Sequence, residues 1–214
     1  STAVAFLTPA LERPNLTLIT NARVHKTDIN NGRAEGVVFR QAGELKTVKA
    51  TREVILSGGA LESPRILMLS GIGSSSHLEE HGIGVIKDLP GVGQNLHDHN
   101  LLPLIYECAK EMPSADAAIP PLHAHAFMKS DAALPGPDIQ PLFFNAPYYT
   151  PEQEQVTPNA FTLCAGGIRP TSRGGLLLTS ADPEAPLHID PNVLETEYDI
   201  STLVTSLRLN REIA

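Results

Sequence analysis

Hydrophobic and polar residues alternate along the first third of the chain, which is typical of half-buried strands. Two alternating runs flank the turn sequence Asn31-Gly32, and a third follows a loop around Ala42-Gly43. An Asn-Gly pair between such runs is a strong hairpin signal. The pattern therefore predicts a three-stranded antiparallel meander over residues 22–50.

The pattern changes after this meander. Residues 53–56 contain a short continuous apolar run, Val54 to Leu56, which predicts a buried parallel strand over 53–56. The run leads directly into Ser57-Gly58-Gly59 and then into a helical periodicity, so a strand-to-helix junction is predicted over residues 53–69. The apolar residues expected to form ordinary core here are Ile55, Leu56, Ile66 and Leu67.

Weaker patterns predict the remaining elements before residue 100. They are a short helix over residues 1–11, a strand over 16–20, a helix over 74–81, a strand over 85–86 and a polar, histidine-containing loop over 91–99.

The second half of the chain is predicted to be an antiparallel sheet followed by a helix. Strand-like runs separated by connectors rich in Pro, Ala and Asp cover residues 101–106, 123–128, 139–144, 161–168, 175–179 and 187–189. Thr196 and Asp199 have the spacing of a capping box, with Asp in place of Glu, and predict where the last helix begins. One apolar face of that helix is expected to consist of Ile200, Leu203, Val204 and Leu207.

Composition narrows the class of protein. The 214 residues are 42% hydrophobic, which is typical of a folded domain and too high for a disordered tail. The net charge of −8 argues against sequence-independent binding of nucleic acid, which requires a basic surface. No run of about 18 apolar residues exists, so no membrane span is predicted. The chain lacks the features of a signal peptide, and two cysteines are too few for a disulfide scaffold, so a cytoplasmic location is expected.

Ser57-Gly58-Gly59 is the first candidate binding site. A junction between a strand and a helix presents free backbone N–H groups and the positive end of the helix dipole, which suits an anion such as a diphosphate. Glycine there allows a ligand to approach the backbone closely. Taken alone, a Gly-Gly pair at a strand end is more often a simple turn, and no full G-x-G-x-x-G fingerprint is present.

Two histidine pairs are the second candidate. His97 and His99, and likewise His123 and His125, are two residues apart, so on a strand each pair would point to one face. Two such pairs could supply imidazole ligands for zinc or iron. The competing interpretation is a loop motif together with a hydrogen-bonded pair. No cluster of carboxylates or thiols accompanies them, so no metal ligand is assigned.

In their order along the chain these motifs resemble the glucose–methanol–choline (GMC) oxidoreductases, flavoenzymes that oxidise alcohols with FAD. Residues 57–73, SGGALESPRILMLSGIG, are similar to the second signature of that family. Residues 5–16, 77–98, 168–175 and 190–194 resemble further segments of it. Within the family the chain is most like the choline-dehydrogenase-like and aryl-alcohol-type enzymes.

The resemblance implies an α+β fold with two incomplete domains. Residues 1–100 would form part of an α/β FAD-binding domain, residues 101–194 part of an antiparallel-sheet substrate-binding domain, and residues 195–214 the start of a return helix. The chain lacks a starting Met, the dinucleotide fingerprint and the C-terminal catalytic histidine of the family, so it is expected to be an internal fragment.

The resemblance also implies five cofactor-binding residues. Val24 matches the residue whose backbone reads the adenine edge of FAD. Ser57, Gly58 and Gly59 match the strand end that lies against the ADP half, and Asn95 lies in a loop that matches one close to the flavin. The parent enzyme would transfer a hydride from a small alcohol to the flavin, with a histidine taking the hydroxyl proton. No residue in this chain matches that histidine, so no catalytic residue is assigned.

These expectations lead to a prediction about the chain itself. Without the missing segments it is predicted to hold FAD weakly or not at all and to be inactive toward alcohols. The strand at residues 53–56 would lose its neighbours, so self-association through exposed edges is expected. Two other functions stay open: a non-catalytic binding or interaction module of the same fold, and a histidine-rich metal-binding protein.

Overall fold

The computed structural model describes residues 1–112, 121–150, 153–155 and 157–214. The chain forms two compact units. The first unit is Ser1–Gly93 with Leu176–His188, and the second is Gln94–Gly175 with Ile189–Ala214. Both helices and sheets are present, so the predicted α+β class is confirmed.

The first unit contains the predicted meander. Its strands are β1 (Ala22–Asn30), β2 (Arg33–Gln41) and β3 (Glu44–Lys49), paired antiparallel in that order. The turn between β1 and β2 places Asn31 at φ 51° and Gly32 at φ 75°. Positive φ at both central residues is the conformation that a two-residue hairpin turn requires, which is why the Asn-Gly signal located it correctly.

Two helices and a small parallel pair follow the meander. They are α1 (Gly59–Leu69), β4 (Ile72–Gly73), α2 (Ser75–Glu80) and β5 (Lys87–Asp88). Strands β4 and β5 pair in parallel. The helix predicted over residues 74–81 is confirmed, whereas the strand predicted at 85–86 forms two residues later. The opening residues form a π-helical turn, Ala3–Leu7, and a 3-10 turn, Thr8–Ala10.

The core of the first unit lies beneath α1 and α2. Its buried residues are Met68, Leu69, Leu78 and Leu178, with Ile83, Val92 and Leu187 packed against them. The backbone N–H of Leu178 donates to Nε2 of His77 at 3.0 Å. Burial, together with the neighbouring His81, lowers the pKa of His77, so its ring stays neutral and able to accept this bond.

Two predicted strands of the first unit are wrong. Residues 16–20 and 53–56 belong to no strand, and neither pairs with another strand among the described residues. A strand needs the N–H and C=O groups of a neighbour, and an apolar run alone does not supply them. The burial of the side chains reflects the missing strand. Ile55 is 75% exposed, contrary to the expected core position, whereas Ile66 is buried as predicted. Leu56 and Leu67 are partly buried.

The second unit is built on a four-stranded antiparallel sheet. Its strands, in spatial order, are β7 (Asn100–Glu107), β10 (Ala160–Gly167), β9 (Leu142–Phe144) and β8 (Leu122–His125). A short strand, β6 (Gln94–Leu96), precedes them within the segment that was predicted to be a loop. Strands β11 (Gly174–Leu178) and β12 (Leu187–Asp190) each run from one unit into the other.

The last helix, α3 (Glu197–Ile213), packs on β10. Its predicted start is confirmed, since Thr196 Oγ1 accepts from the N–H of Asp199 at 3.3 Å. The prediction that the apolar face of α3 is its buried face is wrong, because Ile200 and Val204 are 42% and 39% exposed. The buried face is polar and consists of Asp199, Thr202, Ser206 and Asn210.

One residue of this polar face, Ser206, bonds to the backbone of the sheet. Ser206 Oγ accepts a hydrogen bond from the N–H of Gly166 in β10 at 3.1 Å. Small side chains allow a helix to approach a strand closely, and their hydroxyls satisfy backbone groups there.

The division into a cofactor-binding region, 1–100, and a substrate-binding region, 101–194, concerns roles rather than packing, and it stays a prediction.

Candidate functional site

A groove lies between the start of β1 and the first turns of α1, within the first unit. One wall is Asn21, Ala22, Arg23 and Val24, and the other wall is Glu62 and Ile66. Its volume is about 510 Å³. The predicted cofactor-binding residue Val24 therefore lines an open space that could receive a flat ligand.

The strand-to-helix junction precedes the helical wall of this groove. Ser57, Gly58 and Gly59 are all exposed, and α1 begins at Gly59. The residue before the helix is Gly58, so no side chain caps the first-turn N–H groups. These groups and the positive end of the helix dipole are the features that bind anions.

Gly59 leaves room at this junction. Its φ of +79° lies in the left-handed region that favours glycine, and a Cβ built on it would meet no atom within 4 Å. The space above the first turn is therefore open. An FAD diphosphate fits the residues present, because the first residues of α1 are exposed and no side chain caps their N–H groups.

The fifth predicted residue, Asn95, lies in the second unit, on β6. Its φ is +62°, and its carbonyl oxygen accepts from Nδ1 of His97 at 3.0 Å. The side chain is exposed. The structure thus brings Val24 and the junction at Ser57–Gly59 into one unit, and Asn95 belongs to the other.

A polar bridge, formed by residues 183–185 and their partners, joins the two walls of the groove. The guanidinium of Arg65, in α1, donates to the carbonyl oxygens of Pro183 and, at 2.7 Å, Ala185. Glu184 lies between these two residues, and its carboxylate meets three cationic or ionisable groups of the meander. Their distances from Glu184 oxygens are 3.5 Å for Arg23 Nε, 3.1 Å for His25 Nε2 and 3.8 Å for Arg40 Nε.

Sequence reasoning missed three of these residues: Glu62, Arg65 and Glu184. Glu62 and Arg65 have the i, i+3 spacing of a helical ion pair inside the 57–73 motif, so a local signal existed for them. Glu184 had none, because it is more than a hundred residues away along the chain from both walls.

A larger cavity of about 680 Å³ lies elsewhere in the first unit and contains none of the predicted residues. It is lined by the second half of β1 and by the segment after α1, including Thr27, Ser70 and Gly71. The N–H of Thr27 donates to Ser70 Oγ at 2.8 Å, whereas Thr27 Oγ1 is buried without a hydrogen-bond partner in the described structure.

The second unit holds a buried carboxylate that the sequence marked only as part of a helix cap. Asp199 accepts hydrogen bonds from the N–H groups of Thr171 at 2.7 Å and Ser172 at 2.8 Å, and from both hydroxyls. Burial by itself would raise the pKa of Asp199. The hydrogen bonds from Ser172 and Thr171 outweigh it and lower the pKa to about 2.

The two histidine pairs do not form a metal site in the described part of the chain. No group of three or more His, Cys, Asp or Glu side chains there is arranged to hold an ion. His125 Nδ1 instead lies 3.0 Å from Nε2 of Gln140, at the surface.

Across the residues that the structure covers, no helix combines the length and the apolar character needed to cross a membrane.

Comparison with known proteins supplies the family. The sequence profile described as GMC oxidoreductase matches residues 1–101. The mitochondrial choline dehydrogenase of Mus musculus is 35% identical over the whole chain, which spans 39% of that relative's length.

Two solved structures resemble the fold. Pyridoxine 4-oxidase from Mesorbium loti superimposes with a TM-score of 0.90 at 31% identity, covering 100% of this chain and 42% of that one. A formate oxidase of Aspergillus oryzae RIB40, studied for its FAD modification, has a TM-score of 0.81 at 26% identity, covering 94% of this chain and 44% of that one. The profile match, the full-length identity and the superposition agree, and the chain belongs to the GMC oxidoreductase family.

Proposed function

We propose that the chain forms part of an FAD-dependent oxidoreductase that oxidises the CH–OH group of a small alcohol. The observation that carries the proposal is the open, uncapped start of α1 at Gly59, beside a groove lined by Val24. FAD is the cofactor of the GMC family, and the donors in this unit suit the ADP half of that molecule.

Each of the five predicted residues has a role in this proposal. The backbone of Val24 would hold the adenine, and the N–H groups that follow Ser57, Gly58 and Gly59 would hold the diphosphate. Asn95 would support the flavin end. When bound, FAD supplies the electron acceptor for oxidation of the alcohol carbon. The residues of this chain bind and orient, and none of them is assigned the removal of the hydroxyl proton.

The second unit is the proposed substrate side. Its antiparallel sheet corresponds to the predicted substrate-binding region, and the relatives are named for choline and pyridoxine, both small molecules that carry a hydroxyl group. A small alcohol is therefore the proposed substrate class.

A cytoplasmic location is part of the same proposal, and the absence of a disulfide at Cys108 and Cys164 is compatible with it.

The sequence left two outcomes open for the chain on its own, weak binding of FAD or none. The chain is proposed to bind FAD weakly and to turn over no alcohol, because one groove and one helix end offer few contacts. It is also proposed to self-associate. Three exposed apolar side chains support this: Ile55 at 75%, Leu18 at 50% and Ile19 at 43% exposure. Light scattering that finds only monomer at high concentration would contradict self-association.

The test is a titration of the 214-residue chain with ADP, FAD and riboflavin, followed by NMR chemical shifts. ADP and FAD should both bind saturably with a dissociation constant on the order of 1 mM, and riboflavin, which lacks the adenosine diphosphate, should not. The shifts should occur at residues 57–62 and at Val24. No binding of ADP, or shifts confined to the second unit, would reject the proposal and favour a non-catalytic module. Alcohol-dependent dye reduction by the chain alone would reject its predicted inactivity.

A further inference from the structure

Glu62 is a groove residue to which the family resemblance assigns no role. It lies in the first turn of α1 and forms the helical wall together with Ile66, across the groove from Val24. Its side chain is 47% exposed, so a ligand in the groove can reach it.

The carboxylate of Glu62 is held in place by a buried cation. Arg65 Nη1 lies 3.2 Å from Glu62 Oε1, and Arg65 is itself only 5% exposed. The carbonyl oxygens of Pro183 and Ala185 fix the guanidinium. Glu62 is therefore oriented before any ligand binds, and a carboxylate that accepts one such bond keeps further lone pairs for a second donor.

A carboxylate is an unexpected group in a groove proposed to end at a diphosphate. It repels phosphate, although an acidic residue in the first turn also stabilises the helix through the dipole. The position of Glu62 at the wall opposite Val24 removes this conflict if the carboxylate meets the base instead. The adenine ring carries one exocyclic amine, and a carboxylate only accepts hydrogen bonds.

We infer that Glu62 is a further cofactor-binding residue that accepts a hydrogen bond from the 6-amino group of adenine. The inference rests on the proposed function, since it needs the adenosine half in this groove. Arg65 acts as a positioning residue, because it touches Glu62 and not the ligand. The site then selects adenine over a purine that lacks the 6-amino group.

The experiment compares ADP with purine riboside diphosphate, whose base has a hydrogen in place of the amine and no N–H on that edge, on the 214-residue chain. The native chain should bind ADP roughly fivefold more tightly than purine riboside diphosphate. Glu62→Ala should bind ADP roughly fivefold more weakly and lose the preference between the two nucleotides. Glu79→Ala, at an exposed glutamate of α2, is the matched control and should behave as the native chain.

The sign of the change separates this inference from a structural or electrostatic role. If Glu62 only repels the diphosphate, Glu62→Ala should bind both nucleotides more tightly. If it only stabilises the helix, the variant should weaken both equally and keep the preference. Either result overturns the inference. A third result also overturns it: if the native chain prefers ADP to 2′-deoxy-ADP and Glu62→Ala loses that preference instead, the hydrogen bond belongs to the ribose. A native chain that binds neither nucleotide fails the proposed function itself.

Discussion

The starts of helices α1 and α3 have the same backbone chemistry and opposite surroundings. At α3, Thr196 caps the first turn, and Asp199 is buried among donors from Thr171 and Ser172. At α1 the preceding residue is Gly58, no side chain supplies a cap, and the first residues are exposed. One start is satisfied within the chain, and the other is left for solvent or a ligand.

This difference separates a structural helix start from a binding one. Every α-helix begins with N–H groups that lack partners inside the helix. Where a side chain accepts from them, as at Thr196, their contribution goes to stability. Where glycine leaves them open, as at Gly59, they remain available to an anion. The comparison predicts that changes at α3 affect folding alone and that changes at α1 affect ligand binding.

The largest effect is expected for Asp199→Asn. The amide replaces one carboxylate oxygen with an NH2 group, which then faces the N–H of either Thr171 or Ser172, and the charge-assisted bonds are lost. The free energy of unfolding should fall by about 3 kcal/mol. Urea denaturation followed by circular dichroism measures it, with Glu197→Gln, an exposed acid of the same turn, as the control. A change below about 1 kcal/mol would mean that this network does not support the fold.

Acid should remove part of the same stabilisation. The pKa of Asp199 is about 2 in the folded chain, against an ordinary value of 3.8. A lowered pKa means that the contribution is present above pH 3.8 and is lost as the pH falls toward 2. It amounts to about 2 kcal/mol. Denaturation midpoints between pH 5 and pH 2 test this, and the part of the pH dependence that belongs to Asp199 should be missing in Asp199→Asn.

The smallest effect on stability, and the sharpest test of the open helix start, is expected for Gly59→Ala. Alanine at φ +79° should cost about 1 kcal/mol of unfolding free energy, and its methyl group would enter the space proposed for the diphosphate. Gly43→Ala is the matched control, because Gly43 has φ +83° in a hairpin turn and equally open surroundings.

Both glycine variants should therefore lose a similar amount of unfolding free energy, and only Gly59→Ala should weaken the binding of ADP in the NMR titration. Equal ADP affinity in the two variants would place the diphosphate elsewhere.

Much of the fold could be predicted from local patterns. The hairpin at Asn31-Gly32 and the start of α3 at Thr196 are set by residues within a few positions of each other, so short-range rules located both. The unpaired residues 53–56 show the limit of such rules. Their apolar run was compatible with a strand, but strand formation depends on a neighbour that no local pattern contains.

The candidate site divides in the same way. Val24 and Ser57–Gly59 could be predicted as binding residues because the motifs that contain them are local. Glu184 could not, since its link to Arg23, His25 and Arg40 exists only after the chain has returned to the first unit. Glu62 lay inside the motif, but only the groove shows that it faces the same space as Val24.

The sequence by itself determined the hairpin turn, the start of α3 and the family. The turn and the helix start follow from glycine, asparagine and capping residues, which act on their immediate neighbours. The family follows from the motif at residues 57–73. Only the tertiary structure decided which faces are buried. On α3 the polar side of Ser206 and Asn210 is buried, and the apolar side of Ile200 and Val204 is partly exposed. The physical reason is that burial depends on what each face meets, and here a strand backbone that needs hydrogen-bond partners meets the hydroxyl of Ser206.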